Sequence, residues 1–106
     1  MKLLTKADLK RLPPLYSQSE KDPKDVLVPV KFFNAAGAGR WYATEFDPAD
    51  RSFFGYVTGL QVDELGYFSL DELQSFRGRF GLGIERDRSW DYKTTLEEVM
   101  SGRVRW

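Results

Sequence analysis

Two segments rich in aromatic and β-branched residues, 40–46 and 53–60, are separated by the short polar segment 47–52. This arrangement constrains the fold more than any other feature of the sequence. Aromatic and β-branched residues favour strands, and the Asp-Pro pair at 47–48 is typical of a turn. The pattern therefore predicts an antiparallel β-hairpin. The segment 26–33 has a similar composition and predicts a preceding strand.

Polar residues at the start of helical segments predict three short helices around these strands. Thr5 predicts a helix that ends near Leu12, and Ser69 predicts a second helix. Thr94 or Thr95 predicts a third helix near the C-terminus.

Two more segments, 66–68 and 82–87, are strand-like, which brings the expected sheet to about four to five mainly antiparallel strands. Short helices flanking such a sheet give an α+β fold. A chain of 106 residues has the usual size of one domain. We therefore expect residues 1–106 to form a single α+β domain.

The sequence contains neither cysteine nor histidine. Their absence excludes disulfides, cysteine nucleophiles, zinc sites built from thiolate or imidazole, and catalytic triads with a histidine base. Acid–base chemistry would depend on Asp, Glu, Lys or Tyr. No cofactor is expected, although a hard cation such as Mg²⁺, Mn²⁺ or Ca²⁺ would suit a cluster of carboxylates.

The charge is balanced overall but uneven along the chain. Residues 1–40 carry a net charge of +4, residues 41–72 carry −6, and residues 73–106 carry +2. This balance argues against coating of duplex DNA, which normally requires a basic face. The N-terminus lacks the apolar run of a secretory signal, and no apolar stretch approaches the roughly 20 residues of a membrane span. We therefore expect a cytoplasmic protein without a membrane partner.

The register of the hairpin is predicted by requiring one face of the sheet to collect the apolar side chains. This condition places Asp47 opposite Phe53 and Glu45 opposite Gly55. The expected core face carries Val28, Val30, Phe32, Tyr42, Thr44, Phe46, Phe54 and Tyr56. The other face is expected to be open, with Gly55 and Gly59 as a shallow floor beside Lys31, Trp41, Glu45, Asp47 and Val57.

Two pairs of acidic residues have the spacing that places both side chains on one face of a strand, namely Glu45 with Asp47 and Glu85 with Asp87. If both strands join one sheet, the four carboxylates would converge on one hard cation, as in a metal-dependent hydrolase or nuclease. The alternatives are a solvated strand face for the first pair and a charged sheet edge for the second.

Further polar residues extend this candidate site. Glu64 and Tyr67 precede the second helix, and Arg86 separates two acids. In the hydrolase hypothesis, Lys31 or Tyr67 lies near the carboxylates. The predicted binding-face residues are Lys31, Trp41, Glu45, Asp47, Gly55, Glu64, Tyr67, Glu85, Arg86 and Asp87.

The C-terminal third combines arginine with large aromatic residues. Arginine and aromatic side chains together suit single-stranded nucleic acid, and they equally suit a protein interface. The alternative is that the aromatic residues belong to the core. The residues concerned are Phe76, Arg77, Arg79, Phe80, Arg86, Arg88, Trp90, Tyr92, Arg103, Arg105 and Trp106.

Six ordered motifs resemble the family called domain of unknown function 2958, over about residues 1–99. They are LPPLYSQ (12–18), VKFF (30–33), WYATEFD (41–47), FFGYVTG (53–59), ELGYFSLDEL (64–73) and IERD (84–87). The resemblance implies an uncharacterised bacterial protein of plasmids, phages and mobile elements, encoded near genes for DNA handling and anti-restriction. It implies no catalytic residues.

Three functional hypotheses follow. The first is an accessory protein of a mobile element that binds a protein or nucleic-acid partner, for example to counter host defence. The second is the divalent-metal hydrolase, and the third is a module that binds single-stranded nucleic acid. The first is preferred because the chain is small and aromatic-rich and lacks a recognisable catalytic motif.

Overall fold

The computed structural model describes residues 3–102, in which five strands form one antiparallel sheet. The strands are β1 (Val30–Asn34), β2 (Arg40–Asp47), β3 (Ser52–Thr58), β4 (Glu64–Ser69) and β5 (Ile84–Arg86). Their order across the sheet is β4-β3-β2-β1-β5. Consecutive hairpins add β2, β3 and β4 in turn, whereas β5 returns to pair with β1, so β4 and β5 form the two edges.

Within residues 3–102, three short α-helices accompany the sheet, which confirms the predicted α+β fold. They are α1 (Lys6–Arg11), α2 (Leu70–Ser75) and α3 (Leu96–Met100), with single 3-10 turns at Pro23–Asp25 and Arg79–Gly81. Each α-helix follows a hydroxyl side chain that accepts a backbone N–H of its first turn, namely Thr5, Ser69 or Thr95. Among the described residues, no helix is long and apolar enough to cross a membrane.

Both faces of the sheet bury apolar side chains, so the prediction of a single core face is wrong. The residues around α1 and α2 cover one face, called here the α1–α2 face, and α3 covers the other, the α3 face. The core of the α1–α2 face comprises Leu3, Leu12, Val30, Phe32, Ala43, Phe46, Phe53, Leu70, Leu73 and Ile84. The core of the α3 face comprises Val26, Val28, Tyr42, Leu96 and Val99.

A β-bulge in β2 explains this distribution. Ala43 pairs with Gly55, but Glu45 pairs with Phe54, so Thr44 is an extra residue without its own partner on β3. The extra residue reverses the alternation of faces along the strand. A register predicted from strict alternation therefore fails on both sides of the bulge.

The bulge separates residues that were predicted to share a face. Trp41 packs at the margin of the α1–α2 core, whereas Glu45 lies on the α3 face opposite Phe54. Asp47 pairs with Ser52, one residue away from its predicted partner. The predicted open face, with Trp41 beside Glu45, is therefore not formed.

The predicted first strand is also shorter than expected, since β1 begins only at Val30. The preceding residues instead hold the third helix in place. The N–H of Val28 donates to the carbonyl of Thr94 at 2.8 Å, and the N–H of Leu96 donates to the carbonyl of Val26 at 2.8 Å.

Candidate functional site

Glu45 anchors a loop through a carboxylate that is almost fully buried. Its side chain lies in the interior, with an exposed fraction of 4%. The two carboxylate oxygens accept hydrogen bonds from the N–H groups of Tyr16, at 2.8 Å, and Gln18, at 2.9 Å. These bonds hold Tyr16 at φ +70°, a conformation that a non-glycine residue adopts only when its surroundings impose it. The prediction of an exposed Glu45 is therefore wrong.

The four predicted metal ligands do not come together. Asp47 ends β2 and accepts a hydrogen bond from the N–H of Ala49 at 3.0 Å. Glu85 and Asp87 lie in or next to β5, which is two strands away from β2 in the sheet. Within residues 3–102, no group of three or more acidic side chains is placed to hold a metal ion. The predicted convergence is therefore wrong for this part of the chain.

Gly55 is a structural glycine and not the floor of an open groove. It is buried opposite Ala43, next to the bulge. A Cβ atom at this position would overlap the backbone carbonyl oxygen of Tyr42. The close approach of the two backbones therefore requires glycine here.

Lys31, another predicted binding-face residue, has an exposed fraction of only 2%. Its Nζ atom lies 3.3 Å from Oδ2 of Asp87. The ring centroids of Tyr42 and Trp90 lie 5.7 Å and 5.5 Å from the same atom, within cation–π range. Lys31 therefore belongs to an internal polar contact that joins β1 to the segment after β5.

Burial changes the pKa values of two groups beside this contact. Burial raises the pKa of Tyr42, an effect that Arg40 opposes and Asp87 reinforces. Burial lowers the pKa of Arg40, while its interactions with Tyr42 and Asp63 act in the opposite direction. Because burial disfavours the charged form of each group, Tyr42 stays a neutral hydroxyl well above neutral pH.

The predicted residues of β5 secure this edge of the sheet. The Nε atom of Arg86 donates a hydrogen bond to Oδ2 of Asp8 at 2.7 Å. Asp8 is 2% exposed and also accepts the N–H of Thr5 at 3.0 Å, which completes the cap of α1. Glu85 pairs with Phe33 of β1. The β5 edge is therefore tied to α1 through an ion pair.

Of the ten predicted binding-face residues, Glu64 and Tyr67 are the two that are exposed, and both lie in β4. Tyr67 has an exposed fraction of 59%. Its ring contacts Phe54, with ring centroids 5.1 Å apart, and Tyr16, with centroids 6.4 Å apart. A hydrogen bond with the Tyr16 hydroxyl raises the pKa of Tyr67, and desolvation adds to this effect.

The outer backbone groups of β4 face away from the sheet. The N–H of Leu70 donates to the carbonyl of Arg51 at 2.9 Å, which fixes the alternation along the β3–β4 ladder. Gly66 therefore directs its N–H and C=O toward β3, whereas Leu65 and Tyr67 direct theirs outward. Within residues 3–102, no strand pairs with this outer side.

An apolar groove runs along the α1–α2 face beside β4. It has a volume of about 500 Å³ and is lined mainly by Trp41, Val57, Leu60, Val62, Gly66 and Phe68, with Gln61, Glu64 and Tyr67 at its margin. Leu60 and Val62 are more than half exposed. Sequence reasoning missed these two residues, although apolar residues at the end of the predicted strand 53–60 and just beyond it are an available signal.

A second concave surface lies on the α3 face beside the same strand. This cleft has a volume of about 260 Å³ and is lined mainly by Tyr16, Lys21, Phe54, Leu65, Tyr67 and Leu96. The loop that Glu45 anchors forms its outer wall. An open strand edge with an apolar concavity on each face is therefore the candidate functional site.

The aromatic residues of the C-terminal third occupy different environments. Trp90 is partly buried, and its indole N–H donates to the carbonyl of Val28 at 2.7 Å. Tyr92 lies under the guanidinium of Arg11. Phe80, in contrast, is 94% exposed at φ +59°. The predicted residues Arg103, Arg105 and Trp106 lie outside the described part of the chain.

Comparison with known proteins identifies the family. The family model described as protein of unknown function DUF2958 matches residues 3–102. The chain belongs to the DUF2958 family. No curated protein and no solved structure matches it.

The matched range of this DUF2958 chain includes all five strands and all three α-helices given above. The predicted family resemblance is confirmed. The open β4 edge, the apolar groove and the cleft all lie within the DUF2958 match, so the candidate site is part of the family's domain.

Proposed function

We propose that this DUF2958 protein is a partner-binding module that contacts another protein through the β4 edge. The observation that carries the proposal is that Leu65 and Tyr67 present unpaired outer backbone groups between two apolar concavities. Addition of a strand to such an edge is a common mode of peptide recognition. Main-chain hydrogen bonds supply affinity, and the flanking concavities supply specificity.

The properties of the edge favour a protein partner over nucleic acid. Residues 52–76 contain Asp63, Glu64, Asp71 and Glu72 and no lysine or arginine. Phosphate groups would be repelled by this surface. The exposed Leu60, Val62 and Tyr67 are side chains that a protein interface buries.

The biological setting is also part of the proposal. The family resemblance supports a small cytoplasmic accessory protein of a plasmid, phage or other mobile element, with a role such as countering host defence. The partner would then be a protein of the host cell or of the element itself.

A pull-down with matched variants tests the proposal. Immobilised protein is exposed to a nuclease-treated lysate, and we expect a partner protein to be retained. Tyr67→Pro removes an outward N–H without removing a bond of the sheet, so the partner should be lost. Tyr67→Val keeps that N–H and serves as the control. Equal retention by Tyr67→Pro and wild type, with both variants folded, would contradict a β4 interface.

The exposed Phe80 supports single-stranded nucleic-acid binding as a second candidate. It lies between Arg79 and Gly81 in a strained conformation and has almost no protein contact. A base stacked on such a ring, with arginines beside the phosphates, is a known mode of recognition. Binding of an oligonucleotide should weaken steeply with salt and be lost in Phe80→Ala. Absent or salt-insensitive binding would reject this candidate.

A further inference from the structure

We infer that the segment accepted by β4 is extended, has a large apolar side chain opposite Gly66, and carries basic residues on both sides of it. This inference rests on the proposed function and specifies the chemistry of the partner. It follows from the hydrogen-bonding alternation of β4, the space around Gly66 and the charges at the two ends of the strand.

The backbone of β4 determines how a sixth strand would pair. Since Leu65 and Tyr67 direct their N–H and C=O groups outward, an antiparallel segment forms hydrogen-bonded pairs with these two residues. The partner residue between them lies opposite Gly66 in a non-hydrogen-bonded pair. Such pairs bring the two Cα atoms to about 4.5 Å, and their side chains are on the same face.

The space at Gly66 favours a large apolar side chain in that position. Gly66 pairs with Gly55 and therefore belongs to the row that faces the α1–α2 side of the sheet. An added Cβ at Gly66 would have no atom within 4 Å. The groove beside it is lined by Trp41, Leu60 and Val62. An apolar side chain opposite Gly66 can therefore cross the glycine and enter this groove.

The charges around β4 favour basic residues on both sides of that side chain. Asp63 and Glu64 are exposed at the start of the strand, and Glu72 is exposed beyond its end. Asp71 is already paired with Arg51 at 2.7 Å. Asp63 already interacts with Arg40, so lysine or arginine in the partner would compensate Glu64 and Glu72 and accelerate association.

A second copy of the chain fits this edge less well. A symmetric pairing of two β4 strands about Gly66 would place glycine opposite glycine and leave both grooves empty. It would also place the acidic start of β4 in each copy, at Asp63 and Glu64, beside the end of β4 in the other copy, where Glu72 is exposed and like charges repel. The observations therefore favour a basic segment of another protein.

Binding of a defined peptide tests the inference. The probe is a fluorescein-labelled Lys-Lys-Val-Phe-Val-Lys-Lys peptide, and affinity is measured by fluorescence anisotropy at low salt. We expect at least about tenfold weaker binding when Ala replaces the central Phe, since burial of an aromatic ring contributes this much. We expect a similar loss when Glu replaces the four lysines. Equal affinity of either changed peptide would overturn the inference.

Two glycine variants of the protein provide the matched test. Gly66→Val places a side chain in the space that the partner would use, and we expect at least about tenfold weaker peptide binding. Gly37→Val is the control, because Gly37 also has no neighbour within 4 Å but lies in the β1–β2 turn. Undiminished peptide binding by Gly66→Val would overturn the inference. The inference would also be overturned if the protein alone formed a dimer and Tyr67→Pro abolished that dimer.

The peptide and the pull-down separate the two proposals. Retention of a partner that Tyr67→Pro loses, without binding of the basic peptide, would leave the proposed function standing and reject the inferred chemistry. If no partner is retained and the basic peptide does not bind, the proposed function and the inferred chemistry are both rejected. Binding of the basic peptide with slowed amide exchange at Leu65 and Tyr67 supports both.

Discussion

The two edges of the sheet differ in how they are protected. β5 has three residues, and its Arg86 is tied to the buried Asp8 of α1 at 2.7 Å. β4 has six residues, and its exposed residues include Leu65 and Tyr67. Short length and charge are usual means of preventing an edge from pairing with another chain. β5 has both features, whereas β4 carries charge only at its first residue.

This difference between the two edges is the basis of our proposal that β4 receives a partner. An exposed apolar edge favours non-specific aggregation unless it is used. The buried carboxylates Asp8 and Glu45 have structural roles, since they position α1 and the loop at 13–22. These two acids therefore contribute to stability, and β4 is the surface for which we propose recognition.

The largest expected effect distinguishes the two glycines that face each other across β3 and β4. Gly55→Ala should lower the free energy of unfolding by about 3 kcal/mol, because the new Cβ overlaps the carbonyl oxygen of Tyr42. Gly66→Ala should change it by less than about 0.5 kcal/mol. Urea denaturation measures both. Similar losses of stability in the two variants would contradict the open space at Gly66 in β4.

The next effect concerns the protected edge. Asp8→Ala removes the partner of Arg86 and one half of the α1 capping box, so we expect a loss of about 2 kcal/mol. The control is Asp71→Ala, which breaks an exposed ion pair with Arg51 and should cost less than about 1 kcal/mol. Equal costs in urea denaturation would show that the β5 edge is not specially secured.

A smaller effect is expected at Glu45, which holds the loop beside Tyr67. Glu45→Ala removes the acceptor of two backbone N–H groups and should cost about 1.5 kcal/mol. The amide protons of Tyr16 and Gln18 should then exchange faster. Glu64→Ala, an exposed acid in β4, should change stability by less than about 0.5 kcal/mol. Unchanged exchange in Glu45→Ala would contradict the anchoring role.

The smallest expected effect is a loss of stability at alkaline pH that is caused by ionisation of Tyr42. This residue lies next to the contact between Lys31 and Asp87, which joins β1 to the segment after β5. Burial raises the pKa of Tyr42 above its value in the unfolded chain, so the folded protein holds this proton more tightly. The resulting stability is fully present below about pH 10 and is lost as the pH rises through the raised pKa. The stability of Tyr42→Phe should decline less steeply with pH than that of the wild type when denaturation is measured from pH 9 upward. Parallel declines would contradict this origin.

Local features of the sequence predicted most of the fold. The hydroxyl caps at Thr5, Ser69 and Thr95 act on the N–H groups of the next turn, so they can be recognised within four residues. The Asp-Pro loop likewise predicted the central hairpin, which the structure has as β2 and β3. These signals depend on neighbouring residues alone.

The candidate site was less predictable because one residue changes the faces of the sheet. Thr44 carries no sequence signal that marks it as the extra residue of a bulge, yet its insertion moves Glu45 onto the α3 face. Gly55 is the one local indication, since glycine opposite a bulge allows close backbone approach. Tyr67 and Glu64 were predicted as binding-face residues, whereas Leu60, Val62 and Leu65 were not, because turns and edges do not follow strand periodicity.

Amide hydrogen exchange of the isolated protein tests the central claim most directly. The account predicts that the N–H groups of Leu65 and Tyr67 exchange rapidly, because they face outward, whereas those of Gly66 and Phe68 are protected by β3. Slow exchange at Leu65 and Tyr67 in the monomer without a partner would show that the edge is already covered and would contradict the account.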